Sequence, residues 1–269
     1  MNACREDLAD LALAGRVIAN AYVRPRSSYC VTPREAMRAK PDTSSAAVSE
    51  LLHGEEFAVL ETSAGWAWGY SRHDGYVGYV PVGSLDQALP PTHRVPAAAL
   101  IFEAADIKSL IIARLPAFAK LHAEPTDNAP FFAAAGGFVH ARHVQPVDHI
   151  EPDPVAVAET LVGTPYLWGG RSGDGLDCSG LVQQVLACAG IAAPRDSDQQ
   201  QALGAAIADP ATLKRGDLVF FPGHVGIMAD TTRLAHANAY WMAVTVEPLA
   251  DVVARLSDHP QPITAMRRI

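Results

Sequence analysis

Hydrophobic residues in the first part of the chain recur in short runs separated by Gly and Asp. These runs cover residues 57–60, 66–70 and 76–80. Short runs bounded by turn-forming residues are typical of the strands of a small β-barrel. Residues 1–14 mix acidic residues and arginine with Leu and Ala, which predicts an amphipathic helix packed on that barrel.

Two Pro-rich stretches divide the chain into three segments. They are residues 88–96 (ALPPTHRVP) and residues 145–154 (QPVDHIEPDP), and both are poor material for helices or strands. The middle segment repeats the short-run texture of the first. Its end, residues 137–144 (GFVHARHV), echoes residues 75–85 (GYVGYVPVGSL). This echo predicts two related small barrels.

The third segment begins with a helical pattern and continues with strands. Four apolar residues recur at helical spacing after Asp177, and Gly190 supplies a stop. We therefore predict a buried helix that begins near Cys178. Later apolar runs predict successive short strands at residues 217–221, 225–229, 233–237 and 243–247. The segment thus has the helix-then-sheet order of an α+β domain.

Cys178 and two histidines are the candidate reactive groups. A helix N-terminus favours a thiolate at Cys178, although a buried structural cysteine is the commoner fate of a lone thiol and is our interpretation of Cys188. His224 and His236 lie in neighbouring predicted strands, so His224 could accept the thiol proton while His236 orients its ring. The same three side chains could instead bind zinc, but no fourth ligand is evident. We expect no cofactor.

Composition narrows the classes of partner. Hydrophobic residues make up 49% of the chain and charged residues 19%, which favours packed globular structure over disorder. A net charge of −8 argues against a nucleic-acid partner, and the apolar runs are too short for a membrane span. The first residues lack a continuous apolar signal core, and the four cysteines lack the spacing of a disulfide framework. We therefore expect a cytoplasmic protein.

The third segment resembles the NlpC/P60 cysteine peptidases. The matching motifs are residues 163–170 (GTPYLWGG), 177–183 (DCSGLVQ), 216–221 (GDLVFF), 224–227 (HVGI) and 236–237 (HA). The resemblance implies that Cys178 is the nucleophile, that His224 is the base and that His236 is the third catalytic residue.

The resemblance also implies the domain order. It predicts an α+β chain with a papain-like NlpC/P60 catalytic domain over residues 149–269. Two small SH3-like β-barrels would precede it, one over residues 1–88 together with the N-terminal helix, and one over residues 89–148.

This three-domain order is similar to that of the γ-D-glutamyl-L-diamino acid endopeptidases, or dipeptidyl-peptidase VI enzymes. That subgroup releases L-Ala-D-Glu from murein-derived peptides with a free amino end. Tyr166, Asp196 and Ser197 match residues that shape its pocket, where the aspartate receives the substrate ammonium. An ordinary helix cap is an equally good local interpretation of Asp196.

The first barrel of this subgroup also contributes an acidic residue and an aromatic residue to the pocket. Glu55 and Tyr76 are the candidates, and Glu56 or Asp74 are weaker ones. Three further aromatics, Trp66, Trp68 and Tyr70, have the spacing of one strand face and are interpreted as barrel core.

Other functions remain open at this point. The same Cys-His pair could serve a hydrolase of intact peptidoglycan or an amidase, since one fold hosts several chemistries. A catalytically inactive protein whose barrels bind peptide is the alternative from another class. The sequence does not reveal the oligomeric state or the diamino acid that is preferred.

Overall fold

The computed structural model describes residues 2–269 and divides the chain into two compact units, Met1–Asp148 and His149–Ile269. Within residues 2–269, no helix has both the length and the apolar character needed to cross a membrane. Strands dominate both units, and helices are few.

The first unit is built from strands joined by short turns. In chain order these strands are β1 (Leu8–Asp10), β2 (Ala21–Val23), β3 (Arg26–Cys30), β4 (Arg34–Arg38), β5 (Ala47–Leu52), β6 (Glu56–Ser63), β7 (Trp66–Ser71), β8 (Val77–Pro81), β9 (Leu85–Asp86), β10 (His93–Arg94), β11 (Ala98–Phe102), β12 (Ile111–Pro116), β13 (Lys120–Leu121), β14 (Ala123–Pro125), β15 (Phe131–Ala134), β16 (Gly137–His140) and β17 (Gln145–Pro146).

The strands predicted at residues 57–60, 66–70 and 76–80 are confirmed as β6, β7 and β8, although β8 begins one residue later than predicted. They lie in one sheet of order β5-β4-β8-β7-β6-β3-β9. One face of this sheet buries an apolar cluster that includes Met37, Phe57 and Val80. Alternation along each strand, with apolar side chains on one face, accounts for that core.

The predicted helix over residues 1–14 is wrong for its described part. Residues 8–10 form β1, which pairs in parallel with β2, and Leu11–Leu13 form a 3₁₀ turn. The Asp10 carboxylate accepts a hydrogen bond from the Ala12 amide at 2.9 Å, which stabilises this turn. Strand pairing and burial of Leu8 outweigh the weak helical preference of a short segment.

Trp68 does not lie in the core of the first sheet. Ala67, on the other face of β7, packs in that core. Trp68 packs with Leu8 and Leu60 beneath the N-terminal segment. The N-terminal segment therefore covers the outer face of the sheet, which explains why an aromatic residue is buried on that side.

The middle segment forms two sheets, of order β13-β10-β17 and β12-β11-β16-β15-β14. The end of the middle segment, residues 137–144, has the same order of elements as residues 75–85, which it resembles in sequence. Strand β8, a 3₁₀ turn and β9 follow one another in the first case, and β16, a 3₁₀ turn and β17 in the second. The two segments also contact one another, because the Lys120 amide donates to the His53 carbonyl at 2.8 Å. Their separation as domains at residue 88 stays a prediction.

The second unit contains the helices and one large antiparallel sheet. The helices are α1 (Pro154–Thr160), α2 (Cys178–Cys188), α3 (Ser197–Gln200) and α4 (Leu249–Arg255). The strands are β18 (Arg171–Ser172), β19 (Gly175–Leu176), β20 (Ala205–Ala206), β21 (Leu218–Phe221), β22 (His224–Met228), β23 (Arg233–Asn238), β24 (Ala243–Pro248) and β25 (Ala265–Arg268). The large sheet has the order β20-β25-β21-β22-β23-β24.

Helix α2 begins and ends where the sequence predicts. The Asp177 carboxylate caps it by accepting from the Gly180 amide at 2.7 Å, and Gly190 follows its end with a φ of +77°. Gly180 is required for close packing, since a Cβ there would lie 2.2 Å from the Gly170 carbonyl oxygen. The helix packs against β22 and β23 and so faces the strands that carry both histidines.

Candidate active site

Cys178 is the first residue of α2, and its side chain is almost fully buried, with 7% of the residue exposed. The backbone amide of Val225 and that of Ser179 both lie within hydrogen-bonding reach of the sulfur. Val225 follows His224 directly in β22. The thiol therefore meets the strand that carries the candidate base.

Burial favours the neutral form of this thiol. It raises the pKa of Cys178 to about 11, and the neighbouring Asp177 carboxylate raises it further. The two backbone amides and the Arg195 guanidinium lower the pKa, but they do not outweigh burial. The helix N-terminus alone, which favours a thiolate, is thus not sufficient in this environment.

The two histidines form the start of a hydrogen-bonded chain. The His224 Nε2 atom lies 2.8 Å from the His236 Nδ1 atom. The His236 Nε2 atom lies 2.8 Å from the Glu247 Oε1 atom, and Glu247 is held by Arg255 through contacts of 2.6 and 2.9 Å. Only the Nδ1 atom of His224 is left free by this chain to face the thiol.

Sequence reasoning missed Glu247 and Arg255. Glu247 lies on β24 diagonally opposite His236, because His236 pairs with Thr245 in the antiparallel register. Alternation in the predicted strand over residues 243–247 places residues 245 and 247 on one face. A carboxylate at that position was therefore a usable signal for a partner of His236.

The pKa values of the three hydrogen-bonded side chains, His224, His236 and Glu247, are set by burial and by these contacts. Burial lowers the pKa of His224 to about 3, and the neighbouring His236 and Arg255 lower it further. Burial also lowers the pKa of His236, against the opposing effect of Glu247. Burial would raise the pKa of Glu247, but hydrogen bonds from Arg255, His236 and Trp241 reduce it to about 2. The resting site thus pairs a neutral thiol with a neutral imidazole.

The depressed pKa of His224 makes stability dependent on pH. An unfolded histidine has a pKa near 6.5, so between about pH 3 and pH 6.5 the unfolded chain binds a proton that the folded chain does not. Above pH 6.5 we expect no loss of the free energy of unfolding due to His224. At pH 5 the loss due to His224 should be about 2 kcal/mol.

Denaturant titrations of the wild type and of His224→Asn at pH 5 and pH 7.5 measure this effect. The variant lacks the titrating group and should lose less stability on acidification than the wild type. Equal losses in the two proteins would contradict the assignment of this pH dependence to His224.

Asp177 and Arg195 form a buried ion pair beside the thiol. The two guanidinium contacts measure 2.9 and 2.5 Å, and Arg195 also donates to the Ser179 hydroxyl oxygen at 2.9 Å. The Asp177 carboxylate accepts from the Gly169 amide at 2.9 Å as well. This pair ties three elements together, namely the glycine loop before the thiol, the first turn of α2 and the segment that follows the helix.

The predicted pocket residues of the second unit lie around this ion pair. Tyr166 is half-buried, and its pKa is raised to about 12 by burial and by the nearby Cys178 and Asp177. Asp196 and Ser197 directly follow Arg195 and are also half-buried. Asp196 occupies the N-cap position of α3, but its side chain makes no capping hydrogen bond. The helix-cap interpretation of its carboxylate is therefore wrong.

The predicted pocket residues of the first unit, Glu55 and Tyr76, have structural contacts there. Glu55 is 3% exposed, accepts from the Leu52 amide at 3.0 Å and lies 3.9 Å from the Lys120 ammonium nitrogen. Tyr76 is half-buried and packs against the apolar cluster of the first sheet. Asp74 accepts from the Tyr76 amide at 3.0 Å. A substrate-binding role for Glu55 and Tyr76 stays a prediction.

Over residues 2–269 no group of three or more His, Cys, Asp or Glu side chains has the arrangement needed to hold a metal ion. The reactive groups that the site brings together are the Cys178 thiol, the two imidazoles and the Glu247 carboxylate. A thiol beside an oriented, unprotonated imidazole can attack an activated carbonyl carbon.

Family models match two parts of the chain. Residues 163–254 match the NlpC/P60 family, and residues 37–85 match the bacterial dipeptidyl-peptidase Sh3 domain. The catalytic-domain resemblance and one SH3-like domain are thereby confirmed. The second SH3-like barrel over residues 89–148 and the barrel shape of both stay predictions.

Curated relatives span different shares of the chain. A dipeptidyl-peptidase 6 from Lysinibacillus sphaericus is 27% identical over 237 residues, which cover 78% of this chain and 87% of that protein. A γ-D-glutamyl-L-lysine dipeptidyl-peptidase from Bacillus cereus is 33% identical over 105 residues, or 36% of this chain and 31% of that protein. The first similarity therefore extends through both units, and the second is local.

A crystal structure of an NlpC/P60 family protein from Bacillus cereus has the same fold. The two structures superpose with a TM-score of 0.75 over 90% of this chain and 99% of the other, at 19% sequence identity. Because the sequence identity is low, this similarity is evidence for the fold of the chain alone.

Proposed function

We propose that this chain, which contains an NlpC/P60 domain and a bacterial dipeptidyl-peptidase SH3 domain, is a cysteine peptidase that hydrolyses the bond between γ-D-Glu and a diamino acid in murein-derived peptides. One observation carries the proposal. A buried thiol at the N-terminus of α2 contacts the strand whose first residue, His224, is hydrogen-bonded to a second histidine.

The proposed reaction begins with a neutral thiol. The Cys178 sulfur attacks the amide carbon while its proton passes to the free nitrogen of His224. The protonated imidazole then donates to the departing amine, which leaves an acyl-enzyme that water hydrolyses with His224 as base. The Cys178 amide is a first-turn helix donor without an acceptor within the helix, and we propose that it stabilises the developing oxyanion.

The finer specificity rests on Tyr166 and Asp196. We propose that the Asp196 carboxylate receives the free ammonium of the substrate, because charge-assisted hydrogen bonds favour that pairing. The rigid Asp177–Arg195 pair fixes the backbone on which Asp196 lies. The names of the dipeptidyl-peptidase relatives agree with this choice of substrate.

The experiment is incubation with L-Ala-γ-D-Glu-diamino acid tripeptide, followed by mass spectrometry of the products. We expect release of L-Ala-D-Glu from the free peptide and none from the N-acetylated peptide. Equal turnover of the two peptides would contradict recognition of the amine. That result would favour an endopeptidase acting within longer wall peptides.

Asp196→Asn should lower kcat/KM for the tripeptide. Loss of one partner of a buried charge pair costs 2 to 5 kcal/mol, and half-burial favours the lower end, so we expect a decrease of about 30-fold. The control is Asp198→Asn, an exposed residue on the same short helix. This control should stay within about 2-fold of wild type, because exposed substitutions have small effects. Equal losses in both variants would contradict a specific role for Asp196.

A further inference from the structure

Glu247 accepts hydrogen bonds from three side chains at once. Its Oε1 atom lies 2.8 Å from His236 Nε2 and 2.6 Å from Arg255 Nη2. Its Oε2 atom lies 2.9 Å from Arg255 Nη1 and 3.3 Å from Trp241 Nε1. Guanidinium and indole N–H groups can only donate. Both oxygens of Glu247 are therefore acceptors, and the two-point pairing with the Arg255 guanidinium stabilises the ionised carboxylate.

Because Glu247 is an acceptor, it sets the direction of both hydrogen bonds in the series Glu247–His236–His224. The His236 Nε2 atom must carry a proton in order to donate to Glu247. A neutral imidazole has one N–H, so the Nδ1 atom of His236 presents a lone pair. His224 must then donate from Nε2 to that lone pair. Its own Nδ1 atom is left unprotonated, which is the state that a base for a thiol requires.

We propose that Glu247, held by Arg255, is a positioning residue that selects the tautomer of His224 and thereby prepares it to accept the Cys178 proton. This inference rests on the proposed function only for the identity of the reaction. The hydrogen-bond directions follow from the contacts themselves.

The role of the pair is directional more than electrostatic. Glu247 and Arg255 carry opposite charges and contact each other through two hydrogen bonds, so their fields largely cancel at a distance. The side chain of Arg255 also lies over the Tyr240 ring, with 4.5 Å from its central carbon to the ring centroid. These contacts hold the acceptor in place, and a change in hydrogen-bonding type at residue 247 should matter more than the loss of its charge.

Glu247→Gln and Glu247→Ala separate these two effects, because both remove the charge and only the first introduces a donor. In one amide orientation the NH₂ group would face both Arg255 and Trp241. In the other it faces His236 and a single Arg255 donor, so this orientation has fewer unfavourable donor pairs. The Nε2 atom of His236 must then accept. The direction of both hydrogen bonds then reverses, and the proton of His224 moves to Nδ1.

The kinetic test compares kcat and KM of the two variants on the tripeptide. Reversal of the tautomer of a catalytic imidazole costs about 10⁴-fold in kcat, so we expect Glu247→Gln to lose about 10³- to 10⁴-fold. Glu247→Ala admits water, which can accept from His236, and should lose no more than about 10²-fold. KM should change by less than about 3-fold in both. Equal losses in kcat would overturn the inference.

The spectroscopic test needs no substrate. Nitrogen-15 chemical shifts of the imidazole rings distinguish the two tautomers, and we expect Nε2–H for both His224 and His236 in the wild type. In Glu247→Gln the proton of His224 should be found on Nδ1. A wild type with Nδ1–H at His224, or a variant that keeps Nε2–H, would overturn the inference.

The two tests separate this inference from the proposed function. The wild-type tautomers can be measured even if Glu247→Gln fails to fold. If they are as expected and the tripeptide is not cleaved, the positioning role of Glu247 stands and the proposed substrate is wrong.

Discussion

Replacing Cys178 with Ala is expected to lower kcat on the tripeptide by on the order of 10⁶-fold, the scale of losing a catalytic nucleophile. No other side chain of α2 occupies the position that meets the Val225 amide. Serine at this position should be nearly as inactive, because a hydroxyl ionises far less readily than a thiol. Dipeptide release measured by mass spectrometry checks both variants.

Cys188→Ala is the matched control, since Cys188 is a second buried cysteine on the same helix. It lies at the far end of α2, so its removal should cost a little packing energy and leave kcat within about 2-fold of wild type. Thermal unfolding of Cys178→Ala should show that its fold is retained. Substantial turnover by folded Cys178→Ala would refute its assignment as nucleophile.

Local patterns predicted the core of the second unit well. The helix at Cys178 is marked by a capping Asp177, an apolar stripe and a terminal Gly190, and each signal lies within a few residues of the element that it specifies. The four predicted strands correspond to β21, β22, β23 and β24, with ends that differ by only one residue. Alternation of side chains then sets which residues of β22 and β23 face the helix.

Contacts between distant segments explain where sequence reasoning failed. The N-terminal residues form a strand because β2 is available to pair with them, and a pattern confined to residues 1–14 does not contain that information. Burial of Trp68 on the outer face of its sheet depends on the same segment. Both errors thus have one cause, which is tertiary pairing that overrides local preference.

The candidate site shows the same division between local and distant information. Cys178, His224 and His236 lie in motifs, and the sequence was sufficient to propose them together. The Glu247–Arg255 pair was missed because its members are ordinary surface types whose role depends on strand register and on the position of α4. The sequence likewise identified Asp196 and Ser197, but the pairing of the preceding residue, Arg195, with Asp177 required the fold.

The glycines around the nucleophile have a packing role. Small residues beside a thiol suggest access for a substrate. In the structure, Gly180 allows the first turn of α2 to approach the loop before the thiol, since a Cβ there would lie 2.2 Å from the Gly170 carbonyl oxygen. Gly170 allows the same loop to approach β19, since a Cβ there would lie 2.4 Å from the Gly175 carbonyl oxygen. Substrate access is thus not the only reason for glycine at these positions.

The buried Asp177–Arg195 pair should dominate the stability of this part of the second unit. Arg195→Met preserves most of the side-chain volume and leaves the Asp177 carboxylate buried without its counter-charge. Breaking a buried pair in this way typically costs about 3 to 5 kcal/mol. Two backbone amides, those of Gly169 and Gly180, still donate to the carboxylate, which favours the lower end of that range.

Native-state hydrogen exchange of the α2 amides measures the effect of Arg195→Met locally, which suits a chain with two compact units. Arg215→Met is the matched control, because Arg215 pairs with Asp153 and Glu159 on the surface. Its side chain is 38% exposed, against 2% for Arg195. Exposed pairs contribute about 0 to 1 kcal/mol, so the control should retain nearly full protection of α2. Equal loss of protection in the two variants would show that burial of the ion pair is not what stabilises the helix N-terminus. A selective loss in Arg195→Met would identify the buried carboxylate without its counter-charge as the cause.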